Sequence, residues 1–312
     1  MGVLGKEQLR GSVAGKYMFR MEGLDAGWCN SIEGGHATAE VVTEKLGSEV
    51  HQRKHLGPLK FEDISVVCGT GMSKAFYQWL QNSFEGKYSR QRGSIVAADF
   101  NFEAISELEF HEALITEFGM PALDAASKDP AKMTVKFSPE NTKFKKGSGK
   151  ISSPTKAEVQ KRWLPSNFAI TINGLEDACK KVNKIEALVM KQKVVDDVSG
   201  ETRSYLKMPA HLETPNLVMT VAESHAEAIY QWHEDFVIKG NCEQSAEKSG
   251  AIHYLMPNVD RNKPLFTVEM KNLGIFKITP DKAEAGNEQI RRLKVEMYCE
   301  EMTFKYESNA CM

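Results

Sequence analysis

The chain lacks the features that mark most membrane, secreted and nucleic-acid-binding proteins. No apolar run approaches the roughly 20 residues that a membrane-spanning helix needs. Residues 1–16 are polar and contain no apolar stretch of a signal peptide, so we expect no membrane span and synthesis in the cytoplasm. The formal net charge is only −2, and acidic and basic residues balance in both halves. That balance argues against a dense basic patch for nucleic-acid binding.

The 6 cysteines are few and scattered, and none forms a CxxC pair. In a chain made in a reducing compartment, this pattern predicts free and mostly buried thiols. A structural zinc site and disulfides between subunits after release from the cell are the alternatives. The cysteines are Cys29, Cys68, Cys179, Cys242, Cys299 and Cys311.

Motifs for catalysis and metal binding are also missing. Residues 68–74 superficially resemble a phosphate-binding loop but lack its spacing, so we predict a turn in which Ser73 caps a helix. His111 is followed by a glutamate, but no second histidine stands where a zinc protease requires one. His51 and His55 fall in a charged loop and are interpreted as solvated side chains. We predict no catalytic, cofactor-binding or metal-binding residue, no cofactor and no enzyme activity.

What the chain does contain is an internal repeat. Gly23 lies 56 residues before Trp79, and Gly174 lies 58 residues before Trp232. Four short matches in the same order, with nearly equal separations, indicate a duplication. The matching segments are 19–25 and 170–176, 76–79 and 229–232, 93–96 and 250–253, and 133–137 and 293–297.

A lysine-, glycine- and serine-rich stretch at 145–154 has the composition of a linker between the copies. We therefore predict a first domain at 1–147, a linker at 148–164 and a second domain at 165–312. A short helix at 155–164 is predicted to lead into the second copy.

Each copy is predicted to combine several strands with one helix. Alternating apolar residues predict an opening strand in each copy, and a long strand from 293 to 300 with one apolar and one charged face. A slip in the apolar phase between Phe61 and Ile64 predicts a β-bulge. Further strands are predicted at 188–195 and 217–221.

The helices are read from aromatic and aliphatic side chains at helical spacing. The first is expected to begin after Ser73 and to stop at Gly86. In the second copy, Ser224 and Glu227 predict a capping box, and Gly240 ends the helix. A strand-rich copy with one packed helix predicts an α+β, mainly β fold with a sandwich or barrel in each copy.

The first copy resembles the contractile-tail tube protein family across nearly its whole length. The resemblance lies in the order and spacing of its segments, and the second copy is similar in the same order but more divergent. It has Ser249-Gly250 where the first has Arg92-Gly93, which puts identical contacts by the two copies in doubt. The segments are 22–24, 40–42, the charged loop through 54–58 to 59–61, the helix at 76–80, 90–96, 122–125 and 133–137.

The resemblance implies two tandem tail-tube-like β-sandwich or barrel domains, each with one packed α-helix. It also implies a virion structural protein, whose rings stack into the inner tube of a contractile phage tail or injection machine. Its partners would be itself, the sheath, the baseplate and the tail terminator, with DNA or protein cargo passing through the lumen. The loops at 43–57 and 195–212 would reach a neighbouring subunit or ring.

Two domains per chain favour three chains per ring over six chains with the second domain projecting outward. A tube initiator or baseplate hub is the alternative among assembly proteins. A β-rich binding module is a further alternative, for which Trp28 and Trp163 are the ambiguous aromatics.

Overall fold

The computed structural model describes residues 15–45, 47, 50–151, 163–197, 205–256, 263–281 and 290–306. Within these ranges the protein is mainly β, with a few short helices, which confirms the predicted fold class. The short helix predicted at 155–164 falls outside the described residues except for its last two. No helix of the described ranges is long and apolar enough to span a membrane.

The first copy is a closed barrel. Its strands pair in the cyclic order β6, β1, β2, β5, β9 and β7, and β7 returns to β6. Closure leaves no open edge in that ring of strands. The elements are β1 (Lys16–Met21), β2 (Leu24–Gly34), β3 (Ala37–Glu44), β4 (Arg53–Phe61), β5 (Ile64–Cys68), α1 (Lys74–Phe84), β6 (Gln91–Ala98), β7 (Ala104–Met120), β8 (Leu123–Asp124), β9 (Met133–Ser138) and β10 (Asn141–Lys146).

The second copy repeats this order as a half-barrel. Its sheet runs β11, β16, β17, β18, β15 and β12, which matches the first copy strand for strand, but no pairing joins β11 to β12 in the described ranges. The elements are β11 (Phe168–Ile172), α2 (Glu176–Cys179), β12 (Val182–Ile185), β13 (Leu188–Asp197), β14 (Leu206–Glu213), β15 (Leu217–Ala222), α3 (Glu227–His233), β16 (Lys248–Leu255), β17 (Pro264–Pro280) and β18 (Arg292–Tyr306).

The helices form as the sequence predicts in most respects. The Ser73 hydroxyl accepts a hydrogen bond from the Phe76 amide at 3.3 Å, which confirms the predicted cap of α1. Gly86 follows α1, and Gly240 follows the π-helical turn Glu234–Ile238 that continues α3. Both glycines have a positive φ, a conformation that glycine adopts without strain. The capping box is wrong: α3 begins after Ala226, with no side-chain cap, because residues 223–225 form a 3₁₀ turn.

Two further predictions are wrong in detail. The apolar phase slip after Phe61 is not a bulge, because β4 ends there and β5 begins at Ile64 in a different sheet. Residues 43–44 and 53–57 of the first predicted loop belong to a β-hairpin, β3 with β4, and residues 195–197 and 206–212 of the second belong to another, β13 with β14. These are called the first and second hairpins.

The two copies share one hydrophobic core. The buried apolar residues of α1 and both sheets form a single cluster that runs from Phe19 in the first copy to Phe304 in the second. At the predicted linker, Ile151 is buried against Met18, Val96 and Ala98, and the Gly147 amide donates to the Ile105 carbonyl. The chain therefore packs against the first barrel up to residue 151.

Candidate assembly interface

The two copies meet by strand pairing, edge to edge. The second hairpin adds its strand β13 to β7 of the first copy, with Leu188 opposite Met120 and Lys191 opposite Glu117. The first copy also adds a strand to the sheet of the second, because its short strand β8 pairs with β12. A nine-stranded sheet thus continues from one copy into the next. We call this contact the internal junction.

A polar cluster fixes the second hairpin at the internal junction. Glu140, only 8% exposed, accepts a hydrogen bond from the backbone amide of Lys207 at 2.8 Å. The Arg90 guanidinium donates to the Lys207 carbonyl at 2.6 Å and lies 3.5 Å from the Glu140 carboxylate. The Lys207 ammonium donates to the hydroxyl of Ser138, which donates to Asp63. Charged groups bonded to main-chain atoms make strong and directional contacts.

An aromatic layer lies behind this polar cluster. Tyr77 of α1 stacks on Tyr306 of β18, with ring centroids 4.3 Å apart and planes 9° apart. Phe118 of β7 meets Phe304 of β18 edge to face at 5.1 Å. The internal junction therefore has a buried apolar layer and a polar border, the arrangement of a stable protein interface.

The first hairpin has the same construction as the second but pairs with nothing beyond itself in the described part of the chain. Both hairpins carry a register shift at the same place, between Ala39 and Val41 and between Gln192 and Val194. This shared irregularity aligns the two hairpins residue by residue. Val41, Val42 and Leu56 of the first hairpin are exposed.

Strand β17 of the second copy matches β7 of the first equally closely. In each strand one residue, Glu112 or Asn272, has a left-handed backbone conformation. It lies at a β-bulge against the neighbouring strand, β6 or β16 respectively. Both slip again against the closing strand, just after Ile115 and just after Ile275. Residues 117–120 of β7 receive the second hairpin, whereas residues 274–280 of β17 pair only with β18 in the described chain. We call residues 274–280 the open edge.

No site residue was predicted from the sequence, and the side chains that form the internal junction were not among the predicted features. Arg90 lies in a segment that carried the family resemblance, but no sequence signal joins it to Glu140 or Lys207. Trp163 is buried, and its ring meets Tyr254 edge to face at 5.4 Å.

The described thiols and histidines do not cluster in a way that would hold a metal. Within the described ranges, no group of three His, Cys, Asp or Glu side chains is placed to bind an ion. Cys29 and Cys68 lie opposite each other on β2 and β5, and burial raises the pKa of the Cys68 thiol to about 12. The predicted loop histidine His55 lies on β4 and is exposed, with its Nδ1 atom 3.9 Å from Glu44.

The fold and its internal junction define a mainly β protein in which a closed barrel and a half-barrel are joined by strand pairing. Residues 13–143 match the family model of the T4-like virus tail tube protein gp19. The resemblance to contractile-tail tube proteins is thereby confirmed for the first copy. No curated protein matches the chain.

Solved structures to which the chain is similar match half of it or less in the following three cases. A protein of the sheath-tube complex of the PVC extracellular contractile injection system is 15% identical, with 45% of this chain and 94% of that one covered at a TM-score of 0.39. A protein of the anti-feeding prophage tube-terminating cap is 16% identical over 42% and 87%, at 0.37. Hcp1 from Flavobacterium johnsoniae is 17% identical over 44% and 99%, at 0.27.

Proposed function

We propose that this protein is a structural subunit of the inner tube of a contractile phage tail or injection machine. Its chains form rings, and stacked rings make a conduit for DNA or protein cargo. The match of the first copy to the tail tube family supports the class of protein. The chain acts by assembly, without catalysis or a cofactor.

The observation that carries this proposal is the pairing of β13 with β7. One copy presents a hairpin and the next presents a strand edge, so the contact is head to tail and leaves a hairpin at one end of the chain and an edge at the other. A head-to-tail contact that repeats with a fixed rotation closes into a ring. If six such positions complete a ring, three chains supply them.

Within the machine, the ring would contact copies above and below it, the sheath outside it, and baseplate and terminator proteins at its ends. The sheet that the two domains share across the internal junction argues against a ring of six chains with the second domain as outward decoration. In that arrangement, the sheet shared across the internal junction would have no role in the ring. A tube initiator or baseplate hub would form the same trimeric ring but would not stack into long tubes.

The test is electron microscopy of the purified protein together with native mass spectrometry. We expect ring views with a central hole and three-fold order, a complex of three chains of 34.9 kDa each, and stacked tubes at high concentration. Rings that never stack would favour the initiator or hub. A monomer at every concentration would reject the tube proposal.

A further inference from the structure

The strand pairing at the internal junction predicts the pairing between two chains, because the two copies align residue by residue. The matched register shifts place Lys191 of the second hairpin at the position of Thr38 in the first. The matched bulges place Glu117 of β7 at the position of Lys277 in β17. Lys191 and Glu117 are directly opposite each other across the internal junction.

We propose that the first hairpin of one chain adds to the open edge of a second copy of the chain, with Thr38 opposite Lys277 and His36 opposite Thr279. This proposal rests on the ring proposed above and specifies its contact between chains. Antiparallel pairing satisfies the backbone groups that an exposed strand edge leaves unpaired. In the first copy, Phe118 and Met120 are buried beneath the second hairpin, whereas Thr279 and Pro280 of the open edge are exposed.

The charged groups at the open edge differ from those of the internal junction in a way that suits the first hairpin. Glu140 has its counterpart in Glu300, an exposed residue of β18, and Lys207 has its counterpart in Lys54. Arg90, in contrast, is replaced by Glu247. Two carboxylates therefore border the open edge where the internal junction has one carboxylate and one guanidinium.

Within the described residues, both carboxylates have neutral hydrogen-bond donors and neither has an ion-pair partner. Glu247 accepts a hydrogen bond from the Tyr298 hydroxyl at 2.6 Å, and its other oxygen has no hydrogen-bond partner among the described residues. Glu300 accepts from the Asn272 side-chain amide at 2.6 Å. In the internal junction the Lys207 ammonium reaches Ser138, whose counterpart is Tyr298, so the register brings the Lys54 ammonium of the incoming hairpin to Tyr298 between these two carboxylates. An unpaired acceptor next to a like charge is stabilised by such a donor.

Exchanging charges tests the contact. Lys54→Glu and Glu300→Lys should each weaken ring formation by about tenfold to a hundredfold, because each places like charges across the interface. The double variant should recover most of the affinity. Lys132→Glu, which makes the same charge change at an exposed residue between β8 and β9, is the matched control and should assemble normally. Single variants that assemble as well as wild type would overturn the proposed contact.

Cross-linking tests the register itself. In a background with Cys242→Ser and Cys311→Ser, Thr38→Cys combined with Lys277→Cys should give covalently linked chains on mild oxidation with oxidised glutathione. The reaction joins two thiols as a disulfide and passes two electrons and two protons to the glutathione disulfide. Thr38→Cys combined with Pro280→Cys is the control, because the second thiol is then three residues away on the other face of the strand.

The two proposals fail in different ways. If wild-type chains form no ring, the tube proposal itself is wrong. If wild-type rings form but the Thr38–Lys277 pair does not cross-link and the charge exchange has no effect, the tube proposal stands and the open-edge contact is wrong. Links from the control pair alone would show a shifted register and would also overturn it.

Discussion

Replacing Tyr77 tests whether the two copies are one folding unit. Tyr77 belongs to α1 of the first copy, and its fully buried ring stacks on Tyr306 and lies 5.2 Å from Phe266 of the second. Removing a buried aromatic ring costs about 3–5 kcal/mol of unfolding free energy. Because the ring packs against Tyr306 and Phe266 of the second copy as well as against its own copy, Tyr77→Ala should weaken both copies together.

Two further variants divide this effect into its parts. Tyr77→Phe keeps the ring and removes the hydroxyl, which donates a hydrogen bond of 2.7 Å to the Thr70 carbonyl. That bond contributes about 0.5–1.5 kcal/mol. Phe144→Ala is the control, since Phe144 is 69% exposed and its loss should change stability by less than about 0.5 kcal/mol.

The assay is urea unfolding of dilute protein, with amide hydrogen exchange of peptides from each copy read by mass spectrometry. Wild type should unfold in one transition, and Tyr77→Ala should lower the protection of core strands in both copies by the same free energy. Second-copy peptides that keep wild-type protection while first-copy peptides lose theirs would refute the shared core.

Three smaller predictions follow from backbone geometry and thiol burial. Gly34 has φ +87°, and an added Cβ would lie 1.9 Å from the Asp63 carbonyl oxygen, so Gly34→Ala should lower the thermal midpoint and cost at least about 1–3 kcal/mol; an unchanged midpoint would contradict the strain. Burial raises the pKa of Cys68 to about 12. The contribution of the buried neutral thiol to the free energy of unfolding is therefore intact below about pH 9, and it falls by up to about 1.4 kcal/mol per pH unit as the pH rises towards 12. Urea midpoints from pH 8 to 11 should show a shallower decline for Cys68→Ala, and an identical decline would refute the linkage. Cys242 is the exposed cysteine of the described residues, so in a Cys311→Ser background a thiol reagent should label it first, and fast labelling of Cys242→Ser would contradict its assignment.

The two main helices were predictable because their sequence signals are local. Trp79 and Trp232 each mark a buried helix face, and an apolar stripe at helical spacing needs no knowledge of distant residues. The glycines after each opening strand, Gly23 and Gly174, adopt the positive φ that their turns require. The wrong capping box shows the limit of such signals, because Ser224 bonds to His225 instead.

The β-bulge predicted between Phe61 and Ile64 is wrong because a local pattern was used to predict a non-local pairing. A change in apolar phase arises either from a bulge within one strand or from two strands that belong to different sheets. The sequence alone does not distinguish these cases, because the difference lies in which distant strands pair with each side.

The amino-acid sequence by itself predicted a duplicated chain, two strand-rich copies with the helices marked by Trp79 and Trp232, and the resemblance of the first copy to a tail tube protein; the short helix α2 was not predicted. Only the tertiary structure decided that the first copy closes into a barrel, that β11 and β12 of the second do not pair in the described ranges, and that the second hairpin joins β7 while the first pairs with no other described strand. The physical reason is that strand pairing is non-local. Backbone groups of Leu188 and Met120 meet across 68 residues of chain, and nothing in their local sequence encodes that partnership.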